Sequence, residues 1–239
     1  MSVDRLVDLH VHSAVSGGLE LPELVALADR RGLRIGIADH VGGDGALSSD
    51  ARIHEHLDEL ADFPVLRALE VELGERVRLS PSVERRLDYV VGGLHTLRIG
   101  PYTVSMADPG RPEVAPEEIV QAVVDRLCEA MEEEPIDVLA HPTLLPRALR
   151  SDAPRLFDDR LLDRIGRTAA REGVALELSG RLRLPHERAL ERWLAAGAPL
   201  ALGSGARAAP DVGDLAWPLE LLGRFGIDPD RLFTGRAGT

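Results

Sequence analysis

The chain has 239 residues and a formal charge of −12, from 28 Lys and Arg against 40 Asp and Glu. Hydrophobic residues make up 44% and aromatic residues 3%, so a sizeable core is available and must be built mainly from aliphatic side chains. The acidic balance argues against a nucleic-acid groove, because a negative surface repels phosphate backbones, and no Lys/Arg-rich run reverses it.

No apolar stretch is long enough to span a membrane, and charged residues break the N-terminal stretch, so we expect neither a membrane segment nor a secretory signal. Cys128 is the single cysteine. One cysteine excludes an intrachain disulfide and favours a reducing, cytoplasmic setting. We interpret Cys128 as a small core residue in a helix rather than as a nucleophile.

Taken in chain order, short apolar runs alternate with amphipathic runs. The first predicted strand leads into His10, and later strands are predicted at 35–38, 65–72, 89–95, 136–142, 174–180 and 200–204. Helices are predicted at 22–31, 51–63, 117–133, 158–171, 187–196 and 215–225, several of them ending at glycine, and a short helix is predicted after its cap at 80–82. Residues 42–50 are predicted as a loop and residues 100–116 as an irregular excursion.

These elements make seven strand–helix units. Strands that alternate with helices at this spacing predict a parallel sheet with helices outside, and continuous apolar strands fit burial on both faces. A doubly wound open sheet is the alternative, but it would normally carry a glycine-rich phosphate loop after its first strand, where this chain has histidines. Because no composition break divides the chain, residues 1–239 are predicted to form one α/β domain.

Two histidines in the first strand give the first chemical signal. His10 and His12 are two residues apart, so their side chains leave the same face of the strand. Two imidazoles converging from one strand are half of a metal site. The motif alone is weak, because one histidine can pack in the core while the other is solvated.

Further candidate ligands lie at the ends of later predicted strands, and these ends gather on one face of a parallel barrel. They are His40, Glu70, Glu72, His95 and His141. Several imidazoles with a carboxylate suit zinc, iron or manganese better than magnesium, which prefers oxygen ligands. His54 and His56 lie on a predicted helix, and we expect both to be solvated.

The motifs DLHVHS, ADH, LEVE, GGLH and AHP follow one another at these strand ends. Together they resemble the PHP (polymerase and histidinol phosphatase) family of metal-dependent phosphoesterases, over essentially the whole chain. The resemblance implies a distorted (β/α)7 barrel with its metal site at the C-terminal ends of the strands. It also implies a cluster of up to three metals and a bridging hydroxide that attacks a phosphate ester.

The last motif departs from the family pattern. Family members carry G-S-D-x-H after the last strand, whereas this chain reads GSGAR, so Gly205 and Arg207 replace the aspartate and the histidine. A histidine expected near Gly17 is also absent. Each replacement removes a ligand that the resemblance would otherwise imply.

The resemblance therefore implies an incomplete set of sites. One site keeps His10, His12 and Glu70 without the aspartate, and a second keeps Glu70 with His95 and His141. The third keeps only His40, and we expect it to bind no metal. The expected cofactors are two divalent ions, or one, of zinc, manganese or iron.

Other residues receive expected roles around these sites. His40 is expected near the phosphate or the leaving group, as a proton or hydrogen-bond donor. Arg207 either binds a substrate phosphate or carboxylate or is a solvated loop residue. Asp8 either orients a metal-bound imidazole or merely begins the strand, and Glu177 is expected to line the pocket behind the ligands. Arg181 is expected to face solvent.

The leading function is hydrolysis of a small phosphate ester by a metal-activated water, which implies a small anionic substrate and no nucleic-acid or membrane partner. The alternative is a non-catalytic metal- or anion-binding module, favoured by the loss of several ligands together. Carbon–nitrogen bond hydrolysis is weakened by the missing aspartate, and a nuclease role by the charge of −12. The sequence leaves open the substrate, the metals and the oligomeric state.

Overall fold

The computed structural model describes residues 6–42, 46–110 and 112–236. Its strands are β1 (Val7–Val11), β2 (Arg34–Val41), β3 (Leu66–Glu72), β4 (Tyr89–Gly93), β5 (Thr96–Ile99), β6 (Tyr102–Ser105), β7 (Val138–Leu139), β8 (Ala175–Ser179) and β9 (Leu200–Gly203). Within the described ranges, seven of them form one parallel sheet in the order β1-β2-β3-β4-β7-β8-β9. The predicted parallel α/β arrangement is confirmed.

The sheet closes on itself beyond the last strand. The segment after β9 runs back along β1, where the amide of His12 donates to the carbonyl of Ala206 at 3.0 Å and the amide of Gly205 donates to the carbonyl of His10 at 2.8 Å. These bonds bring the first and last strands together, as a barrel requires. The predicted distorted (β/α)7 barrel is therefore also confirmed, and residues 203–207 lie beside His10 and His12.

The helices are α1 (Leu21–Arg31), α2 (Asp50–Ala61), α3 (Pro81–Glu84), α4 (Pro116–Glu133), α5 (Ala153–Leu156), α6 (Asp159–Glu172), α7 (Glu187–Ala196) and α8 (Ala216–Phe225). Each of them buries part of its apolar face in the main hydrophobic layer around the sheet. The start of α6 agrees with the predicted helix at 158–171. The Asp158 carboxylate caps it by accepting from the amide of Leu161 at 2.8 Å, and such a cap can be recognised in the sequence. In the described part of the chain, no helix is both long and apolar enough to cross a membrane.

A separate apolar cluster fills the inside of the barrel near the start of the strands. It consists mainly of small residues around a fully buried Tyr89, including Ala38, Ala68 and Ala201. The Tyr89 hydroxyl donates to the carbonyl of Leu9 at 2.7 Å. A packed interior at this end leaves the opposite end, where the strands finish, as the open end of the barrel.

The structure corrects the prediction for the segment after β4. Residues 100–116 were expected to be irregular, but β5 and β6 form an antiparallel hairpin in which Ile99 pairs with Tyr102. The two residues between them are Gly100, with a φ of 56°, and Pro101, and a glycine of positive φ suits such a tight turn. The sequence did not predict this hairpin, because each strand has only four residues and the prolines of the stretch indicate irregular structure.

A second correction concerns His56, which is buried rather than solvated. Its Nε2 lies 3.1 Å from Oδ2 of Asp39, and that carboxylate also accepts from the hydroxyl and the amide of Ser13, at 2.6 and 2.9 Å. Asp39 points away from the barrel interior, as the alternation along β2 predicts, and ties α2 to the turn after β1. His54, which was also expected to be solvated, is half-buried, and its Nδ1 accepts from the guanidinium of Arg86 at 3.0 Å.

The prediction of one domain over residues 1–239 stays a prediction. Three residues of the predicted 42–50 loop, 43–45, lie outside the described residues, as does residue 111 of the 100–116 stretch.

Candidate metal centre

One buried carboxylate lies at the centre of the open end of the barrel. Glu70 is 1% exposed and stands beside His40 in the register of β2 and β3. Its Oε2 lies 3.2 Å from Nε2 of His10, 3.7 Å from Nε2 of His12 and 3.3 Å from Nδ1 of His40. The three imidazoles thus come from two adjacent strands to a single oxygen.

The other oxygen of Glu70 faces the next strands of the barrel. Oε1 lies 3.5 Å from Nε2 of His95, which follows β4, and 3.6 Å from Nε2 of His141, which follows β7. Gly93 makes this approach possible, because a Cβ atom there would lie 2.1 Å from Oε1 of Glu70. Every histidine predicted at a strand end therefore lies near one carboxylate.

Two groups of ligand atoms in the described residues lie close enough to hold a metal ion. In one, atoms of His10, His12 and Glu70 are within 4.8 Å of one another, and in the other, atoms of His40, Glu70 and His95 are. The first set is the one that the resemblance implies. The second contains His40 where the resemblance implies His141. His40 was expected near the leaving group, but the structure places it among the candidate ligands.

Glu177 contacts the histidines from behind. Its Oε1 lies 2.9 Å from Nδ1 of His10, and its Oε2 accepts from the backbone amide of His141 at 2.6 Å. His141 has a φ of 36°, and this amide contact helps to hold its unusual backbone in place. Gly203 leaves the space for Glu177, since a Cβ atom there would lie 2.0 Å from Oε1.

Glu72 is also placed behind a histidine rather than among the candidate ligands. Its Oε2 lies 2.8 Å from Nδ1 of His95, and its Oε1 accepts from the backbone amide of His95 at 3.1 Å. This contact fixes the ring so that Nε2 faces Glu70. Sequence spacing left Glu72 as an alternative ligand; the period of two along β3 places it on the same side as Glu70, but only the structure shows its partner.

Asp8 is fully buried and contacts backbone rather than an imidazole. Its Oδ1 accepts from the amides of Ser204 and His10, at 2.8 and 3.3 Å, and its Oδ2 accepts from the amide of Gly213 at 3.0 Å. The carboxylate joins the first strand to the segment after the last. Asp8 thereby positions the backbone of the centre and not an imidazole.

Arg207 points into the barrel opening and is only partly exposed. Its guanidinium hydrogen-bonds to Nε2 of His40 and donates to the carbonyl of Ser16. A guanidinium only donates, so Nε2 of His40 accepts and the proton of the neutral ring lies on Nδ1, facing Glu70. The contact makes the solvated-loop interpretation of Arg207 wrong.

The charges of the centre are strongly coupled. Burial raises the pKa of Glu70, but His10 and His95 outweigh it and hold that pKa well below its usual range. Burial lowers the pKa of His10, yet Glu70 and Glu177 raise it well above the ordinary value. Burial, then the neighbouring His10, holds the pKa of His12 well below its ordinary value, which favours the neutral imidazole needed for metal ligation.

These residues fit a divalent metal. Oε1 of Glu70 is buried and has no hydrogen-bond partner among the described residues, although two imidazole nitrogens face it from 3.5 and 3.6 Å. An unpaired buried carboxylate oxygen is costly, and a cation bound between it and the imidazoles would satisfy it. Nitrogen and carboxylate ligands together suit zinc, iron or manganese.

A cavity of about 290 Å³ opens above this centre and is called here the histidine cavity. Its walls include His10, Glu70 and His95, and three arginines, Arg150, Arg181 and Arg207. Arg181 was expected to face solvent; it is exposed, but it also lines the cavity and donates to the carbonyl of Gly205 at 2.9 Å. Arg150 was missed, because it lies in the loop after β7 and carries no motif.

No protein-family model and no curated protein sequence matches the chain. Solved structures do match it. A histidinol phosphate phosphatase from Lactococcus lactis, in complex with zinc, L-histidinol and phosphate, has a TM-score of 0.68 and 18% sequence identity, and the match covers 97% of each chain. A protein from Listeria monocytogenes described as a candidate histidinol phosphatase has a TM-score of 0.67 and 13% identity, over 87% of this chain and 97% of that one.

At these identities the likeness concerns the fold. The motifs predict a distorted (β/α)7 barrel of the PHP type, and the two structures named above are those of a histidinol phosphate phosphatase and of a candidate histidinol phosphatase. The chain therefore has the fold of these phosphatases, and its resemblance to the PHP family is confirmed at the level of the fold.

Proposed function

We propose that the protein is a metal-dependent hydrolase of small phosphate esters. The observation that carries the proposal is the convergence of five imidazoles, among the described residues, on the single buried carboxylate of Glu70. Such a cluster has no evident structural purpose in an open cavity. The zinc, L-histidinol and phosphate bound to the Lactococcus protein of the same fold support a phosphate ester as the substrate class.

The ligands proposed for the metal are His10, His12, Glu70, His95 and His141. Two ions are the expected number, because the two oxygens of Glu70 face separate groups of imidazoles. A divalent ion in such a site lowers the pKa of a coordinated water and polarises the phosphoryl oxygen. Glu177 and Glu72 would hold the rings of His10 and His95 in the orientation that ligation requires.

Arg207 is proposed to bind the reacting phosphate, with His40 holding its guanidinium in place. Arg207 uses Nη1 and Nη2 on Ser16 and His40, and its fork has further N–H groups that can donate to phosphate oxygens. The Nδ1 proton of His40 faces Glu70 and its Nε2 accepts from Arg207, so His40 would hold the guanidinium in place rather than act as a base. A permanent cation here takes over some of the charge neutralisation that the resemblance assigns to a third metal.

The proposal is tested by metal analysis of the purified protein together with para-nitrophenyl phosphate hydrolysis, after chelation and re-addition of Zn²⁺, Mn²⁺ or Fe²⁺. We expect bound metal and activity that returns with at least one ion. His12→Gln should lose activity and the metal held by the group of His10, His12 and Glu70, while the control His54→Gln, on α2 and away from the centre, should keep all the metal and the activity. Metal-free protein that stays inactive with every ion would sink the proposal.

The second candidate is a non-catalytic metal- or anion-binding module. Gly205 and Arg207 favour it, because Arg207 already hydrogen-bonds His40 in place of a metal ligand. The double variant Gly205→Asp with Arg207→His distinguishes the hydrolase from the non-catalytic module. Gly205 has a φ of 64°, which aspartate tolerates better than most residues, and a Cβ there comes no closer than 3.5 Å to Arg181. A wild-type protein without activity that gains it in this variant supports the second candidate.

A further inference from the structure

The arginines of the histidine cavity lack acidic partners. Among residues 6–42, 46–110 and 112–236, no ion pair within 4.0 Å involves Arg150, Arg181 or Arg207, although acidic residues exceed basic ones by 12 in the whole chain. Other arginines, such as Arg126 and Arg192, do pair with carboxylates. The cavity therefore concentrates positive charge that the protein does not neutralise itself.

These guanidiniums also repel one another. Burial, and then the charges of Arg147 and Arg181, lower the pKa of Arg150. Burial also lowers the pKa of Arg207; the charge of Glu70 opposes this effect and the charge of Arg181 adds to it. Cations held this close to one another are an arrangement that an anionic ligand would relieve.

Backbone carbonyls fix two of the arginines in place. Arg150 donates from Nη2 to the carbonyl of Met106 at 3.0 Å and from Nε to the carbonyl of Leu145 at 3.2 Å. Arg181 donates from Nε to the carbonyl of Gly205 at 2.9 Å. Each side chain is oriented by only part of its donor fork, so other N–H groups remain for a ligand, and little conformational freedom is left to lose on binding.

A second cavity of about 230 Å³ adjoins the first and is called here the side cavity. The two share Leu144, Arg150 and Leu182, so Arg150 stands at their junction. The remaining walls of the side cavity include the apolar residues Leu145, Ala153 and Leu184, together with Arg183 and His186. Its lining contains no acidic residue in the described part of the chain, and the lining of the histidine cavity contains only Glu70.

We propose that the substrate is a phosphate monoester with a second anionic group, a carboxylate or another phosphate, which Arg150 and Arg181 bind while an apolar part enters the side cavity. This inference rests on the proposed function for the reacting phosphate. The arginine pair selects for the second anion, and the lack of an acidic side chain in the side cavity selects against a cationic leaving group.

Direct binding tests the inference without turnover. Phenylphosphonate and para-carboxyphenylphosphonate differ by one carboxylate, and both are titrated calorimetrically into the metal-loaded protein. We expect the carboxylated ligand to bind about tenfold more tightly, as a charge-assisted hydrogen bond implies. Arg150→Gln and Arg181→Gln should each reduce that preference to about twofold or less and leave phenylphosphonate binding unchanged.

Arg30→Gln is the matched control, because Arg30 is an exposed arginine in the last turn of α1, away from the cavity. It removes the same charge and should keep the tenfold preference. Equal affinities in the wild type overturn the inference, as does a preference that survives both cavity substitutions. A variant that no longer folds, as judged by its melting curve, is replaced by Arg→Met at the same position.

A corresponding pair of phosphate esters, tested as substrates, separates this inference from the proposed function. Para-carboxyphenyl phosphate and phenyl phosphate are compared as substrates, and kcat/KM should favour the former by about tenfold. If the phosphonates show the arginine-dependent preference but neither ester is hydrolysed, the proposed function fails and the anion-binding pair stands. If both esters are hydrolysed equally, the function stands and the second-anion site is wrong.

Discussion

The two halves of the barrel opening present different nitrogen-bearing side chains. In the half made by β1 to β4, His10, His12, His40 and His95 stand on regular strands or directly after them and face a buried carboxylate. In the half made by the loops after β7, β8 and β9, the positive groups are the permanent cations Arg150, Arg181 and Arg207. His141 and Glu177 continue the histidine–carboxylate pattern into the second half.

The difference separates two tasks. Strand residues are held by register and packing, so they suit ligands that must meet at fixed distances. Loop residues change more readily without harm to the fold, so they suit recognition of one particular substrate. We infer that the first half would bind metal and the second half would bind substrate anions.

The largest expected effect is that of Glu70→Gln, which tests the first half directly. The amide keeps the size of the side chain but removes the charge that every histidine of the cluster faces. We expect metal content to fall by more than about 100-fold at equal free metal, with a matching loss of hydrolysis, because a direct ligand should matter more than a residue behind one. Plasma mass spectrometry of protein equilibrated with metal measures the metal content. A variant with the metal content of the wild type would contradict the assignment of Glu70 as a ligand.

Asp39→Ala tests how the first half is supported. Its carboxylate is buried between Ser13 and His56, and its removal leaves the buried donors of Ser13 without their acceptor, which costs about 3 kcal/mol. Burial raises the pKa of Asp39, but His56 and Ser13 outweigh it and place the pKa below the ordinary value of 3.8. The stabilisation is therefore present above the unfolded pKa and is lost as the pH falls through the folded pKa.

Urea unfolding at neutral pH and at about pH 3 measures this contribution, since the gap between wild type and variant should narrow in acid. Asp62→Ala, at the exposed end of α2, is the control and should change the free energy of unfolding by less than about 0.5 kcal/mol. A gap that stays constant with pH would show that the carboxylate charge is not the cause.

Glu177→Gln should have a smaller effect on the metal, because Glu177 contacts ligands without being one. It positions the ring of His10 and the backbone of His141, which links the two halves. Substitution of a residue that hydrogen-bonds to a metal ligand typically lowers metal affinity by about 10- to 100-fold. Competition with a chromogenic chelator measures the affinity, and Glu172→Gln, at the exposed end of α6, should leave it unchanged.

Arg207→Gln should have the smallest of these effects and should act on substrate rather than on metal. Loss of the guanidinium is expected to raise KM for para-nitrophenyl phosphate about tenfold while metal content stays the same. Arg85→Gln, an exposed arginine after α3, is the control. An unchanged KM, or a loss of metal instead, would move Arg207 out of the substrate-binding half.

The sequence by itself determined the barrel and the residues of its first half. Parallel strands end at one edge, so a histidine or glutamate at each strand end predicts a common centre without knowledge of any loop. The period of two along β1 and β3 also predicted that His10 and His12, and likewise Glu70 and Glu72, share a face. Local chemistry such as the Asp158 cap located the helices for a similar reason, since it acts between near neighbours in the chain.

Only the tertiary structure decided what depends on contacts between distant segments. Asp39 reaches His56 across 17 residues of chain, Asp8 reaches Gly213, and Arg207 meets His40, and none of these pairs has a spacing rule. The arginines of the second half come from separate loops after β7, β8 and β9, and a loop residue has no periodicity to fix its direction. Their convergence on one cavity follows from barrel closure, which brings the segment after β9 back beside β1.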